Sequence, residues 1–202
     1  MPGKVWASLG AVVLAIVGAV FAVEGGYSNH QNDPGGETNH GVTVQVARSN
    51  GYTGDMRELP AEFAERVYTQ DYIERPNFHR VIAMSPALGE KLVDVGVNAG
   101  TGRAGRWLQD ALNHLSRNGA DYPKVVVDGL VGAQTLAAYQ ALERKRGRIK
   151  ACELTLKLID AQQGAHYMRL NKPDFIVGWA DHRLGNVHLA RCAESVQQGR
   201  TQ

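Results

Sequence analysis

The sequence predicts a mainly α fold with one short hairpin or loop. Two observations predict it. From about residue 60 onward, apolar residues recur at helical spacing, in stretches punctuated by Pro, Ser or Gly. One strong turn signal, Asp33-Pro34-Gly35-Gly36, stands near the N-terminus, where its glycines are free to take positive φ. With 202 residues and 44% hydrophobic composition, the chain suits one globular domain, or one domain plus an appendage. A net charge of +2 is too small to argue for nucleic acid.

The first element is a run of 19 residues without charge, Val5 to Val23. As a helix it reaches about 28 Å, just enough for a hydrocarbon core. Lys4 and the amino terminus are the only charges before it, so the N-terminus is expected to stay cytoplasmic. Eight of the 19 residues are Ala, Gly or Ser, and Ala7, Ala11, Ala15 and Ala19 recur every four positions. A helix with one smooth face and one bulky face can pack closely against protein, which a plain lipid anchor does not need. A permanent anchor, a cleavable signal peptide and a marginal anchor that later leaves the membrane all fit the length. The ordered small face favours the last.

The run ends directly in Glu24-Gly25-Gly26-Tyr27. The two glycines are expected to stop the helix and leave Glu24 in its last turn. The negative end of the helix dipole, and apolar neighbours such as Phe21, both disfavour the ionised carboxylate there. A carboxylic acid kept protonated is what protonates a leaving sugar oxygen. The turn at Asp33–Gly36 then folds Asp33, Glu37, Thr38, Asn39 and Thr43 back within reach of Glu24, as a cleft wall with a second carboxylate and groups that hold a water.

Glu24-Gly25-Gly26-Tyr27, Asp33-Pro34-Gly35-Gly36 and Thr38-Asn39-His40-Gly41-Val42-Thr43 together resemble the signature of glycoside hydrolase family 108, muramidases of lysozyme-like fold. The resemblance runs from about residue 10 to 185. It implies a lysozyme-like α+β domain with Glu24 as catalytic acid. Phage lysozymes of the Glu-x8-Asp-x5-Thr pattern add Asp33 as second carboxylate. Their third place falls on Asn39, with Thr38 one short, so either is assigned to the water. Tyr27, Glu37 and Thr43 are assigned to substrate. The N-terminus is similar to signal-arrest-release endolysins, whose first helix is held in the inner membrane until it escapes. The anchor has no cysteine, which excludes disulfide exchange through it.

Further along, Val44 to Arg48 reads as a short helix or strand, and a helix follows from about Pro60 to Ile73, with Tyr68 and Tyr72 at the edge of its core. Ser85-Pro86 opens a helix to about Val97. Arg103 to Leu115 has an apolar face of Trp107, Leu108, Ala111, Leu112 and Leu115. Asp128-Gly129-Leu130-Val131-Gly132-Ala133-Gln134-Thr135 leads into a helix ending at Arg146. This part, 98–170, resembles a peptidoglycan-binding module, although the same residues serve simply as turn and cap formers. It is expected to be the second half of one fold, since no linker precedes it. Arg144 to Lys150 carries five positive charges, read as a solvated helix end. A helix from about Ala151 to Leu170 is expected to bury Leu154, Leu158, Ala161 and Ala165. A last helix, with Phe175 and Trp179, is expected to close the core and bring Cys192 back. Cys152 and Cys192 form one disulfide or remain two buried thiols, and the sequence leaves this open. Seven scattered histidines give no metal spacing, and no cofactor is expected.

The reading is therefore an N-terminal signal-arrest-release helix, 1–23, that becomes part of a catalytic domain, 24–202. The expected activity is hydrolysis of the β-1,4 bond between N-acetylmuramic acid and N-acetylglucosamine, as a phage endolysin. The resemblance implies peptidoglycan, the inner membrane and the host secretion machinery as partners, and release of a monomer into the periplasm. The rivals are a lytic transglycosylase and a non-catalytic, membrane-tethered wall-binding protein.

Overall fold

The computed structural model describes residues 26–29 and 36–193. The apolar run Val5–Val23, the acid Glu24 and the carboxylate Asp33 lie outside the described residues. No helix among the described residues is long and apolar enough to cross a membrane. The chain divides into two compact units, Met1–Arg75 and Pro76–Gln202.

In the first unit, strands β1 (Thr38–Asn39) and β2 (Val42–Thr43) pair antiparallel, with Thr38 opposite Thr43. Two residues join them, His40 at φ 50° and Gly41 at φ 71°. Two successive positive φ values mark the turn whose twist matches that of its strands. Helix α1 (Val44–Ser49) follows at once, and the Thr43 hydroxyl accepts from the Val46 N–H to cap it. A 3₁₀ turn at Met56–Glu58 is capped by Asp55 in the same way. Pro60 then stands at the N-cap of α2 (Ala61–Tyr68), which buries Phe63, Val67 and Tyr68. Tyr68 stacks on Tyr72 at 5.2 Å, a core-edge pair as expected. The expected helix to Ile73 is present in span but not in winding. Thr69–Glu74 is a π-helical turn, continued where the Arg75 N–H donates to the Gln70 carbonyl five residues back.

The second unit holds α3 (Phe78–Met84), α4 (Pro86–Ala99), α5 (Thr101–Leu115), α6 (Ala133–Arg146), α7 (Arg148–Leu170), α8 (Pro173–Arg183) and a 3₁₀ turn at Leu189–Ala193. Helix α3 has no counterpart in the sequence reading. It crosses α4 at bare backbone, since a Cβ on Gly89 would lie 2.7 Å from the Ile82 Cα. Single glycines at positive φ, Gly100 and Gly147, separate α4 from α5 and α6 from α7.

Two expectations are corrected here. Helix α7 does not bury the Leu154–Leu158–Ala161–Ala165 face. Its buried stripe is Ala151, Cys152, Thr155, Leu156, Ile159, Gln163 and Tyr167. The polar members are buried because each finds a partner. The Thr155 hydroxyl donates to the Ala151 carbonyl at 2.8 Å, and the Gln163 amide donates to the Tyr167 hydroxyl at 2.8 Å. Helix α8 does not close the core either, for none of its residues is buried. It is held by its last turn and one ring. The Trp179 ring stacks on Tyr167 at 4.9 Å, and the Arg183 guanidinium donates to Asp94 Oδ1 at 2.8 Å.

Beneath that last turn lies Lys91, fully buried on α4. Its Nζ donates to the Arg183 carbonyl at 2.7 Å and to Asn186 Oδ1 at 2.9 Å, and pairs with Asp160 Oδ1 at 2.6 Å. Three donors meet three acceptors drawn from α7, α8 and the segment after it.

Cys152 on α7 and Cys192 in the final 3₁₀ turn form a disulfide across 40 residues, with Cα atoms 5.7 Å apart. Closing a loop of that length removes entropy from the unfolded chain. The variant Cys152→Ser with Cys192→Ser is expected to lose about 2–4 kcal/mol of unfolding free energy in urea titration. A loss below about 0.5 kcal/mol would place the loop's order elsewhere, in the Lys91 contacts.

Candidate functional site

The described part of the Glu24–Thr43 stretch is a small knot of hydrogen bonds. Ser28 and Thr38 exchange backbone bonds, Ser28 N to Thr38 O at 2.8 Å and Thr38 N to Ser28 O at 2.9 Å. This joins the chain that leaves Glu24-Gly25-Gly26 to the hairpin strand β1. Gly36, last of the turn signal, takes φ 68° as glycine readily does. The Tyr27 hydroxyl donates to Glu37 Oε1 at 2.9 Å. Of the seven residues assigned from sequence, the structure thus brings Tyr27 and Glu37 together, with Thr38 next to them in the chain. Glu24 and Asp33 are not among the described residues.

Three other side chains have structural employment. Asn39 is buried, and its amide donates to the Met56 carbonyl at 2.7 Å. It fastens the hairpin to the 3₁₀ turn. Thr43 caps α1. The Thr38 hydroxyl makes one long bond, to the Gly36 carbonyl at 3.3 Å, and keeps acceptor capacity.

Arg57 was not legible from sequence as a site residue. The Asn39 bond holds its turn against the hairpin, and its guanidinium lies 5.6 Å from the centre of the Tyr27 ring. The Tyr27 hydroxyl first, and then the negative charges of Asp55 and Glu37, hold it above its ordinary pKa. The knot therefore presents a carboxylate, a phenol and a cation at the surface, the polar set that grips hydroxyl and acetamido groups. The only hint in sequence is Asp55, two residues earlier, which pairs with Arg57 at 4.0 Å. Among the described residues no group of three His, Cys, Asp or Glu side chains gathers where a metal ion could sit.

In the second unit the Asp128–Thr135 segment is organised by Gln109 of α5. The buried Gln109 amide donates to Asp128 Oδ1 at 2.8 Å, the Leu130 carbonyl at 3.0 Å and Thr135 Oγ1 at 3.2 Å. Its oxygen accepts from the Gly129 N–H at 2.8 Å. These hydrogen bonds, Gln109 first and the Leu130 N–H next, keep Asp128 below the usual carboxylate range. Gly105 lets the loop lie on the helix, since a Cβ there would come 2.1 Å from the Gly129 oxygen. The turn-and-cap reading of this motif describes what these residues do.

Comparison with known proteins gives two family matches. Residues 17–100 match the family described as Glycosyl hydrolase 108. Residues 103–184 match a second family, described as Predicted Peptidoglycan domain. The boundary between the two matches falls at the single-residue joint Gly100 between α4 and α5. Lys91 of the first match pairs with Asp160 of the second, so the two share one core within Pro76–Gln202. A structure of Brucella abortus SagA is similar to the chain, with 24% identity and a TM-score of 0.67. The match covers 90% of this chain and 94% of that one, and it carries the mainly α, lysozyme-like fold. No curated protein matches the chain. The chain is a glycosidase that acts on peptidoglycan.

Proposed function

We propose that the enzyme is a muramidase that hydrolyses the β-1,4 bond between N-acetylmuramic acid and N-acetylglucosamine, with Glu24 as general acid. The observation that carries this reading is the Ser28–Thr38 bridge. It ties the strand leaving Glu24 to the hairpin that follows Asp33, so the two halves of the motif are bound at their base. Glu24 protonates the leaving sugar oxygen, and Asp33 stabilises the positive charge that develops on the ring or orients the water. Thr38 holds that water in preference to Asn39, whose amide is committed to Met56. Tyr27, with Glu37 and Arg57 around it, grips the neighbouring sugar.

The biological setting proposed is a phage endolysin of the signal-arrest-release type. Val5–Val23 holds the protein in the host inner membrane, its N-terminus cytoplasmic, and its escape frees a periplasmic enzyme that lyses the cell. The small face of that segment supports a second life packed against protein. The Cys152–Cys192 bond supports an oxidising destination.

Mass spectrometry of the muropeptides released by the purified protein tests the chemistry. Reducing N-acetylmuramic acid ends are expected. Anhydro ends would make the enzyme a lytic transglycosylase, and reducing N-acetylglucosamine ends would move the cut to the other bond.

A further inference from the structure

The second unit carries a groove of about 410 Å³ between the segment Tyr122–Val125 and one face of α6. Its α6 wall is Gln134, Ala137, Ala138, Ala141 and Arg144, whose three- and four-residue spacing puts them on one face. The opposite wall is fixed in advance. The Tyr122 hydroxyl donates to the Leu112 carbonyl at 2.8 Å. The Asn113 side chain holds Val125 at both backbone groups, donating to its carbonyl and accepting from its N–H, each at 2.8 Å. Lys124 and Val126, on either side of Val125, have backbone groups without a hydrogen-bond partner among the described residues.

The charges of this groove have one sign. Lys124 and Arg144 line it, and no carboxylate does. The Lys124 ammonium gives one hydrogen to Asn118 Oδ1 and has two left. Arg144 is exposed and has no ion pair or hydrogen bond among the described residues. Its neighbours differ, for Lys145 and Arg146 are both turned on Asp121, at 3.4 and 2.8 Å. The floor is alanine, too shallow for a large side chain. The one aromatic ring, Tyr122, is buried and offers no face for a sugar.

We propose that this groove binds the stem peptide of peptidoglycan. That peptide has an alanine methyl at each end and free carboxylates on its glutamate, its diaminopimelate and its C-terminus. Its methyls fit against Ala137, Ala138 and Ala141, its carboxylates lie between Lys124 and Arg144, and its backbone meets the open groups of Lys124 and Val126. The proposal rests on peptidoglycan as the substrate and adds a second handle on it, separate from the sugars that Glu24 acts on. The groove holds the peptides while the cleft takes the glycan.

The test is titration of the full chain with the synthetic tetrapeptide L-Ala–γ-D-Glu–meso-diaminopimelate–D-Ala, followed by calorimetry or amide shifts. Arg144→Glu is expected to weaken binding at least about tenfold, the loss of one charge-assisted contact. Ala137→Leu, a good helix former that fills the groove without altering charge, is expected to do likewise. Lys157→Glu, an exposed change on α7, leaves affinity unchanged. No binding by the unaltered chain, or affinity in both groove variants unchanged from that of the unaltered chain, overturns the proposal. Release of reducing ends from glycan strands stripped of peptide is measured in parallel. An unaltered chain that cuts glycan but does not bind the peptide removes the groove and leaves the muramidase. Peptide bound with no glycan cut removes the muramidase and leaves the groove.

Discussion

Glu24→Gln is expected to lower the release of reducing ends from peptidoglycan by about 10²–10⁴-fold, the usual contribution of a positioned general acid. The substitution keeps size and hydrogen-bonding capacity and removes only the transferable proton. The thermal midpoint and helical content are therefore expected to match those of the unaltered protein. Binding to sacculi is expected to persist as well, because neither the groove on α6 nor Tyr27 is touched. This separates a lost acid from a lost fold. Asp33→Asn and Thr38→Ala serve as the graded comparison, since stabilising a charge and holding a water are assisting roles. Their expected losses are smaller and fall on kcat more than on KM. If Glu24→Gln kept a tenth of the activity or more, the acid would have to be another residue, and Glu37 beside Tyr27 would be the next to replace.

The largest expected loss of stability is at Lys91. Its ammonium is wholly enclosed and its three hydrogens are all placed, on Asp160, Asn186 and the Arg183 carbonyl. Removing one member of such a group strands the others, which is costlier than never having buried them. Lys91→Met fills the space but leaves Asp160 without its cation, and is expected to cost about 3–5 kcal/mol. Asp160 keeps 23% of its side chain in water, which draws the expectation toward the lower figure. In a unit of this size the midpoint of thermal unfolding then falls by roughly 10–20 °C. Adding Asp160→Asn should recover part of the loss, because the stranded charge is gone. A single-variant shift under about 1 kcal/mol would mean that water reaches Lys91 and the enclosure is not real.

What the sequence made legible follows the reach of its signals. The α5 face of Trp107, Leu108, Ala111 and Leu112 was readable because apolar residues recur on it turn after turn, although the buried Gln109 among them was not. A short hairpin or loop was expected from the Asp33–Gly36 signal, but the strands Thr38–Asn39 and Val42–Thr43 turn instead at His40-Gly41, which the sequence reading did not single out as a turn. The buried stripe of α7 was not readable, because Thr155 and Gln163 look like surface residues until their partners are seen. Helix α3 was missed for another reason. It is short, and its buried residues Phe78, Val81 and Ile82 span little more than one turn, too little for a repeating stripe. At the site, Glu37 could be assigned because it sits in the motif. Arg57 could not, since its place beside Tyr27 depends on a bond from Asn39, 18 residues before it. Gln109 and Lys91 are further cases of one side chain answering several backbone groups across long separations, which no window along the chain can display.

The disulfide has one more effect, through what it encircles. Helix α8, with no residue buried, lies wholly inside the ring that Cys152 and Cys192 close. A single peptide bond broken within that exposed stretch leaves both pieces covalently attached. The chain thus keeps this exposed segment on a closed hoop, where one nick opens the hoop but detaches nothing.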